Sequence, residues 1–231
     1  MPLADQAEAS NQPQSAILLG ILALQGDYEA HAQTLERLGL RPEFAAPAAA
    51  SGGWRFVRRA EDLDGLDGLI LPGGESTTML KFLEQAGFLE RLRQFAAARP
   101  CFGTCAGAIL MARQVSHPQQ SSLGVLDLTV ERNAYGRQID SFIDRGEWAG
   151  AQEKDAPPPE MVFIRAPRFR DAGPTVEVLA RWHGEPVLVR QGKLLAATFH
   201  PELTEDTRVH EMFLRMIRSA RAQPGECSPQ A

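Results

Sequence analysis

Short apolar segments alternate with segments of helical periodicity through the first half of the chain. Strand-like runs cover residues 17–24 and 68–71, and a helix-like segment follows each of them. This alternation is typical of βαβ units, in which helices cover both faces of a parallel sheet. The 231 residues, 44% of them hydrophobic, are enough to fill the core of such a fold. We therefore predict an α/β protein: a single doubly wound, three-layer domain with a mixed, mostly parallel central sheet.

This half contains residues that typically begin and end helices. Asp27 is a candidate cap for a helix that ends at Gly39, and its predicted inner face carries Tyr28, His31, Leu35 and Leu38. We interpret His31 as an ordinary residue of that face. Further helices are predicted from Ser76 to a stop at Gly87, over residues 88–98, and from residue 106 to about residue 114.

The second half changes character, because strand-like runs follow one another without an intervening long helix. They cover residues 125–132, 139–143, 161–165, 175–181, 186–191 and 193–199, and an amphipathic helix is predicted over 205–221. This half should therefore add antiparallel strands to the sheet. Residues 45–53 and 149–159 have loop composition, and residues 1–15 and 223–231 are expected to be disordered tails around a domain at 16–222.

Charge and composition exclude several classes of function. The net charge is −5 and Lys and Arg form no long cluster, so nucleic-acid binding is not expected. The longest purely apolar or glycine run, at residues 16–24, is far shorter than the roughly 20 residues of a membrane span. The first basic residue is Arg37, so residues 1–15 lack the positive region of a secretory signal. We expect a cytoplasmic protein whose three cysteines are reduced.

The first candidate for chemistry is Gly103-x-Cys105-x-Gly107, between a short predicted strand and a helix. Glycines two residues on either side permit the tight turn that lifts a nucleophile out of a sheet, and the helix behind it directs amides at the sulfur. The alternative is a buried structural cysteine between packing glycines.

The second candidate is the segment Phe199-His200-Pro201-Glu202, just after a predicted strand. Of the five histidines, His200 is the best base for Cys105, and Glu202 can accept a hydrogen bond from its imidazole. Together they would form a Cys-His-Glu triad. Without the cysteine, the same pair would be interpreted as surface charge.

The third candidate is the glycine-rich turn at residues 71–77, where Gly73, Gly74, Glu75 and Ser76 follow a predicted strand. Ligands bind at the carboxyl ends of strands in open α/β sheets. The alternative is an ordinary turn with Ser76 as helix cap. The turn lacks the spacing of a phosphate loop, and Cys101 and Cys105 have no second pair of zinc ligands, so we predict no metal and no cofactor.

These motifs, in this order, resemble the class I (triad) glutamine amidotransferases. The segments 23–26, 69–79, 130–133, 163–167 and 199–204, together with Phe142, are most similar to the glutaminase subunits of pyridoxal phosphate synthase, and the likeness runs from about residue 17 to residue 218. The resemblance implies a doubly wound glutaminase domain. It also implies that ammonia passes to a synthase subunit, which builds pyridoxal phosphate.

The resemblance implies a role for each matched position. Cys105 is the nucleophile, His200 the base and Glu202 the residue that orients it. Glutamine is held by a set of residues from three segments: Gly73, Gly74, Glu75, Arg132, Ile164 and Arg165. On chemical grounds, the tetrahedral oxyanion would be stabilised by the amide of Ala106 and by one from Gly73 or Gly74.

Two other functions compete with this interpretation. A cysteine hydrolase or peptidase of the same α/β superfamily can share the nucleophile turn, and it would cleave peptides instead of releasing ammonia from free glutamine. A binding module on an inactive glutaminase fold would lack a member of the triad, and none is missing.

Overall fold

The architecture is that of a large sheet covered on both faces by helices. The computed structural model describes residues 16–43, 52–85, 87–132, 141–149 and 156–222. Its helices are α1 (Tyr28–Arg37), α2 (Ser76–Gln85), α3 (Phe88–Ala98), α4 (Ala106–Met111) and α5 (Arg208–Ala222). Its strands are β1 (Leu18–Leu22), β2 (Arg41–Pro42), β3 (Gly53–Val57), β4 (Gly68–Leu71), β5 (Cys101–Thr104), β6 (Ala112–Ser116), β7 (Leu126–Glu131), β8 (Ser141–Arg145), β9 (Glu147–Trp148), β10 (Glu160–Ile164), β11 (Arg168–Arg170), β12 (Glu177–Trp182), β13 (Glu185–Gln191) and β14 (Leu194–Ala197).

Within these ranges the central sheet has nine strands in the order β2-β3-β1-β4-β5-β14-β13-β12-β9. The first six are mutually parallel, and β13, β12 and β9 add antiparallel pairs at one edge. Two smaller sheets, β10-β8 and β11-β7-β6, lie beside it. The mixed, mostly parallel sheet with extra antiparallel strands confirms the predicted fold class.

Each central strand is apolar on both faces, as a strand between two helix layers must be. On β4, Leu69 and Leu71 pack into one core cluster with side chains of α2, α3 and α4, while Ile70 packs into a second cluster with side chains of α1 and α5. The side chains of these three residues are completely buried. The two clusters give the three layers that the doubly wound pattern predicts.

Four parallel strands end at the same edge of the sheet: β1, β4, β5 and β14 are neighbours in it. The segments that follow them are the 25–27 loop, the glycine-rich turn, Cys105 and His200. The fold therefore gathers all three predicted motifs at one place.

Several sequence predictions of local structure were wrong. The helix predicted to reach about Gln114 ends at Met111, because Ala112 takes an extended conformation and the next residues pair with β7 in a parallel register. The strand β3 was not predicted, and its first residue, Gly53, lies in what was predicted as a loop. The short strands β2, β9 and β11 were also missed. Residues 1–15, 44–51 and 223–231 lie outside the described residues, so the predicted tails and most of that loop stay predictions.

The described helices include none with the length and apolar character that a bilayer crossing needs. Cys101 and Cys105 are both buried and both free thiols. Burial raises the pKa of Cys101 far above its usual value, although Lys193 opposes this, and a neutral thiol suits its position in the core. Cys227 lies outside the described residues.

Candidate active site

Cys105 lies in a sharp turn between β5 and α4. Its φ of 47° is a left-handed conformation that residues other than glycine rarely adopt. The turn is possible because its flanking glycines admit close backbone contacts: a Cβ on Gly107 would lie 1.9 Å from the carbonyl oxygen of Leu71, and one on Gly103 would lie 2.7 Å from the backbone of Gly107. The amide of Cys105 donates to the carbonyl of Ala197 at 2.9 Å, which ties the turn to β14.

His200 and Glu202 follow β14, in a buried turn beside the cysteine. The imidazole Nδ1–H of His200 donates to Glu202 Oε1 at 2.8 Å, and both side chains are almost completely buried. The amide of His200 donates to the carbonyl of Val162 at 2.8 Å and anchors the turn to β10. His200 Nε2 is buried and makes no hydrogen bond of ordinary length within the described residues. The structure thus places Cys105 and His200 in the lining of one cavity and joins His200 to Glu202.

Electrostatics favour a charged imidazole here. Burial alone would lower the pKa of His200, but its interactions with the Cys105 thiol and with the Glu202 carboxylate outweigh that effect and raise the pKa to about 10. Burial would likewise raise the pKa of Glu202, but the adjacent His31 and His200 rings outweigh it and hold the pKa well below its usual value. No nitrogen–sulfur hydrogen bond of ordinary length joins His200 to Cys105, and catalytic hydrogen bonds are often long in unliganded active sites.

The glycine-rich turn after β4 packs against the 25–27 loop. The carbonyl of Gly73 accepts from the amide of Asp27 at 3.2 Å, and the amide of Glu75 donates to Gln25 Oε1 at 2.8 Å. The Glu75 amide therefore already has an acceptor, and the amides of Gly73 and Gly74 remain the candidate oxyanion donors from this turn. Gly74 has a φ of 148°, which suits glycine alone.

The carboxylate of Glu75 caps helix α2. It accepts hydrogen bonds from the amides and hydroxyls of Thr77 and Thr78, so it, and not Ser76, is the capping residue. Although burial opposes them, these bonds lower the pKa of Glu75 to about 2. Arg132 lies 3.6 Å from the same carboxylate.

A cavity of about 300 Å³ opens above Cys105 and His200. Most of the predicted substrate residues line it, together with others that were not predicted. The full lining is Gln25, Gly26, Asp27, Gly74, Glu75, Ser76, Cys105, Ile109, Arg132, Ile164, Arg165, Pro167 and His200. Gly73 and Ala106 are not among these. Ala106 is the buried first residue of α4, and Gly73 lies against the His200 ring. The volume is at the lower end of ligand pockets and suits one small molecule.

The cavity contains charges of both signs. Two acidic residues, Asp27 and Glu75, and two basic residues, Arg132 and Arg165, line it. A free amino acid carries an α-ammonium and an α-carboxylate, so this lining is complementary to a zwitterion.

A model of the SNO glutamine amidotransferase family matches residues 21–219. The chain belongs to this family. The pyridoxal 5'-phosphate synthase subunit PdxT of Koribacter versatilis strain Ellin345 is 54% identical over 206 residues, which cover 88% of this chain and 97% of the relative. The PdxT of Solibacter usitatus strain Ellin6076 is 50% identical and covers 86% of this chain and 98% of the relative.

A solved structure supports the same assignment. The crystal structure of a glutamine amidotransferase superposes with a TM-score of 0.75 at 46% identity, over 86% of this chain and 98% of the other. The family and fold that the motifs predicted are thus confirmed.

Sequence reasoning missed three residues that lie near His200 and Glu202. Asp27 was predicted as a helix cap, but its side chain makes no capping hydrogen bond, and Oδ2 lies 3.9 Å from His200 Nδ1. His31 was interpreted as an ordinary helix residue, but it is completely buried 3.5 Å from Glu202. His210 is buried behind it. One sequence feature could have indicated the role of His31: it lies on the predicted inner face of α1, next to the strand end where the site forms.

One group of described residues has the types and spacing to hold a metal ion. Ligand atoms of Asp27, His200 and Glu202 lie within 4.8 Å of one another. The hydrogen bond between His200 and Glu202 occupies two of these atoms, so an ion would have to displace the proton between them.

Proposed function

We propose that this chain is the glutaminase subunit of a pyridoxal phosphate synthase, with Cys105, His200 and Glu202 as its triad. The observation that carries the proposal is the alignment of these three side chains beneath a cavity sized for one amino acid. The names of the two PdxT relatives supply the choice of synthase.

Hydrolysis proceeds through a thioester. The Cys105 thiolate attacks the side-chain amide carbon of glutamine to give a tetrahedral oxyanion, with the proton held on the charged imidazole of His200. The amides of Ala106 and of Gly74 or Gly73 stabilise that charge. The carbon–nitrogen bond then breaks, and the imidazolium of His200 gives its proton to the departing amide nitrogen, which leaves as ammonia. Water attacks the thioester, passes a proton to the base, and releases glutamate and the free thiol.

Glutamine is held by groups that match its ends. Arg132 or Arg165 binds the α-carboxylate, and Glu75, which also lines the cavity, binds the α-ammonium. Gly73, Gly74 and Ile164 complete the pocket. A peptidase does not need to grip a free α-carboxylate, so the two arginines favour free glutamine over the alternative of peptide cleavage.

The product dictates a partner. In water at neutral pH ammonia is mostly ammonium, which is not a nucleophile, so ammonia must pass directly to a synthase subunit through a protected path. Hydrolysis without that subunit would waste glutamine. We therefore expect the oxyanion site at Gly73 and Gly74 to be completed only when the subunit docks.

Purified chain should be assayed for glutamate and ammonia release with and without its synthase subunit. Docking that directs one more amide at the oxyanion should raise turnover about 10²- to 10³-fold. Equal rates with and without the partner would contradict the docking switch, and cleavage of peptides without release of ammonia from glutamine would favour the peptidase.

A further inference from the structure

A chain of buried polar side chains that do not line the cavity begins at Glu202. His31 of α1 places Nε2 at 3.5 Å from Glu202 Oε1 and at 3.2 Å from Thr104 Oγ1, the hydroxyl of the residue before the nucleophile. Its Nδ1 lies 2.9 Å from Nε2 of His210 on α5. His31, Thr104 and His210 are all completely buried.

The contacts determine how the protons are arranged. His31 Nδ1 and His210 Nε2 face each other at 2.9 Å, so one of them carries a proton and the other accepts it. Burial lowers the pKa of both rings and favours their neutral forms. Since the Glu202 carboxylate can only accept, the proton of His31 belongs on Nε2, and its Nδ1 accepts from Nε2–H of His210. The remaining nitrogen, His210 Nδ1, is buried without a hydrogen-bond partner among the described residues, as fits the unprotonated position.

Glu202 needs a donor besides His200. The side chain of Glu202 is completely buried, and its oxygen Oε2 has no hydrogen-bond partner among the described residues. A buried carboxylate is costly unless donors surround it, and one fixed through a single ring could turn about its own side chain. His31 approaches from α1, a different element, and contacts the same oxygen that accepts from His200. It also contacts Thr104, so it links the strand that bears the nucleophile to the turn that bears the base.

We propose that His31 is a positioning residue, which donates through Nε2 to Glu202 and Thr104 and thereby holds the carboxylate that orients His200, with His210 fixing His31 in turn. This rests on the proposed function, because it assigns His31 to the same glutaminase triad. The packing of a ring between helix and sheet would by itself require only bulk at this position, whereas the proposed role requires a donor.

The test compares variants of the chain assembled with its synthase subunit, by kcat and KM for glutamine. His31→Leu removes the donor, His31→Gln keeps an amide donor at similar reach, and Thr34→Val removes another completely buried polar group from the same helix. We expect His31→Leu to lower kcat about tenfold with KM unchanged, since a hydrogen bond to a charged group is lost. His31→Gln should recover most of that rate, and Thr34→Val should leave it unchanged.

A double-mutant cycle separates positioning from packing. If His31 acts through Glu202, His31→Leu should cost less than about twofold once Glu202→Gln is present. An equal loss in both backgrounds, or a His31→Gln variant no faster than His31→Leu, would overturn the proposal. If His31→Leu does not fold, His31→Met replaces it in the cycle.

A second measurement does not depend on turnover. Nitrogen NMR of histidine-labelled chain should show His31 as the neutral Nε2–H tautomer, and the Nδ1–H tautomer would overturn the proposal. If the wild-type complex releases no ammonia from glutamine, the proposed function fails, while this measurement still decides whether His31 donates to Glu202.

Discussion

Replacing Gly73 by alanine should inactivate the enzyme without unfolding it. Gly73 has no left-handed conformation to lose, so the backbone tolerates alanine. The added Cβ, however, would lie 2.2 Å from Cε1 and 2.9 Å from Nδ1 of His200. Ordinary contact begins at 3.4 Å, so the ring or the turn must move by about 1.2 Å.

Either movement damages catalysis. The ring is fixed by its 2.8 Å hydrogen bond to Glu202, and moving it changes its distance to Cys105. Moving the turn shifts the amides of Gly73 and Gly74, which are the proposed oxyanion donors of this turn. A misplacement of about 1 Å at a reacting group costs about 10²-fold in rate, so kcat should fall by at least that factor.

The assay is glutamate release by the chain with its synthase subunit, alongside thermal unfolding of the chain. Gly65→Ala is the matched control: Gly65 has a φ of 77° and nothing within 4 Å of an added Cβ. It should lose about 1 to 2 kcal/mol of stability and keep its turnover. A Gly73→Ala enzyme with wild-type kcat would refute the argument that this glycine is required by the His200 ring.

Three further predictions test the assigned roles. Cys105→Ala should abolish glutaminase activity, and an electrophilic glutamine analogue should label Cys105 and spare Cys101, as mass spectrometry of the labelled chain would show. His200→Asn should lose more kcat than Glu202→Gln, because only the former removes the base; wild-type activity in Glu202→Gln would demote that residue to a structural carboxylate. Arg132→Ala should raise the dissociation constant for glutamine about tenfold, as measured by calorimetry, since it loses a charged contact.

The site was predictable where its constraints are local. A nucleophile turn needs small residues at fixed offsets, so the spacing of Gly103 and Gly107 was enough to indicate a tight turn at Cys105. The two-residue spacing of His200 and Glu202 likewise lets a turn bring their side chains together. Nearby residues of one turn determine both features.

Features that depend on distant partners were not predictable. The segment Ala112–Ser116 has no strong period, and pairing with β7 makes it a strand where the helix was expected to continue. His31 could be placed on a helix face, but its partner His210 lies 179 residues away, and nothing in the local sequence indicates that the two rings meet. Such contacts can be predicted only when the order of the strands in the sheet is known.

The pairing of β5 with β14 has a consequence for folding. β5, the strand before Cys105, is separated from β14 by about ninety residues of chain, and the amide of Cys105 donates to the carbonyl of Ala197 at the end of β14. Pairing of this kind is slow to form, because a long loop must close before any contact stabilises it. A nascent chain that has emerged only as far as α4 therefore has a cysteine but neither its base nor its fixed geometry. Glutamine hydrolysis can begin only after translation has passed Glu202 and the two halves have closed on each other.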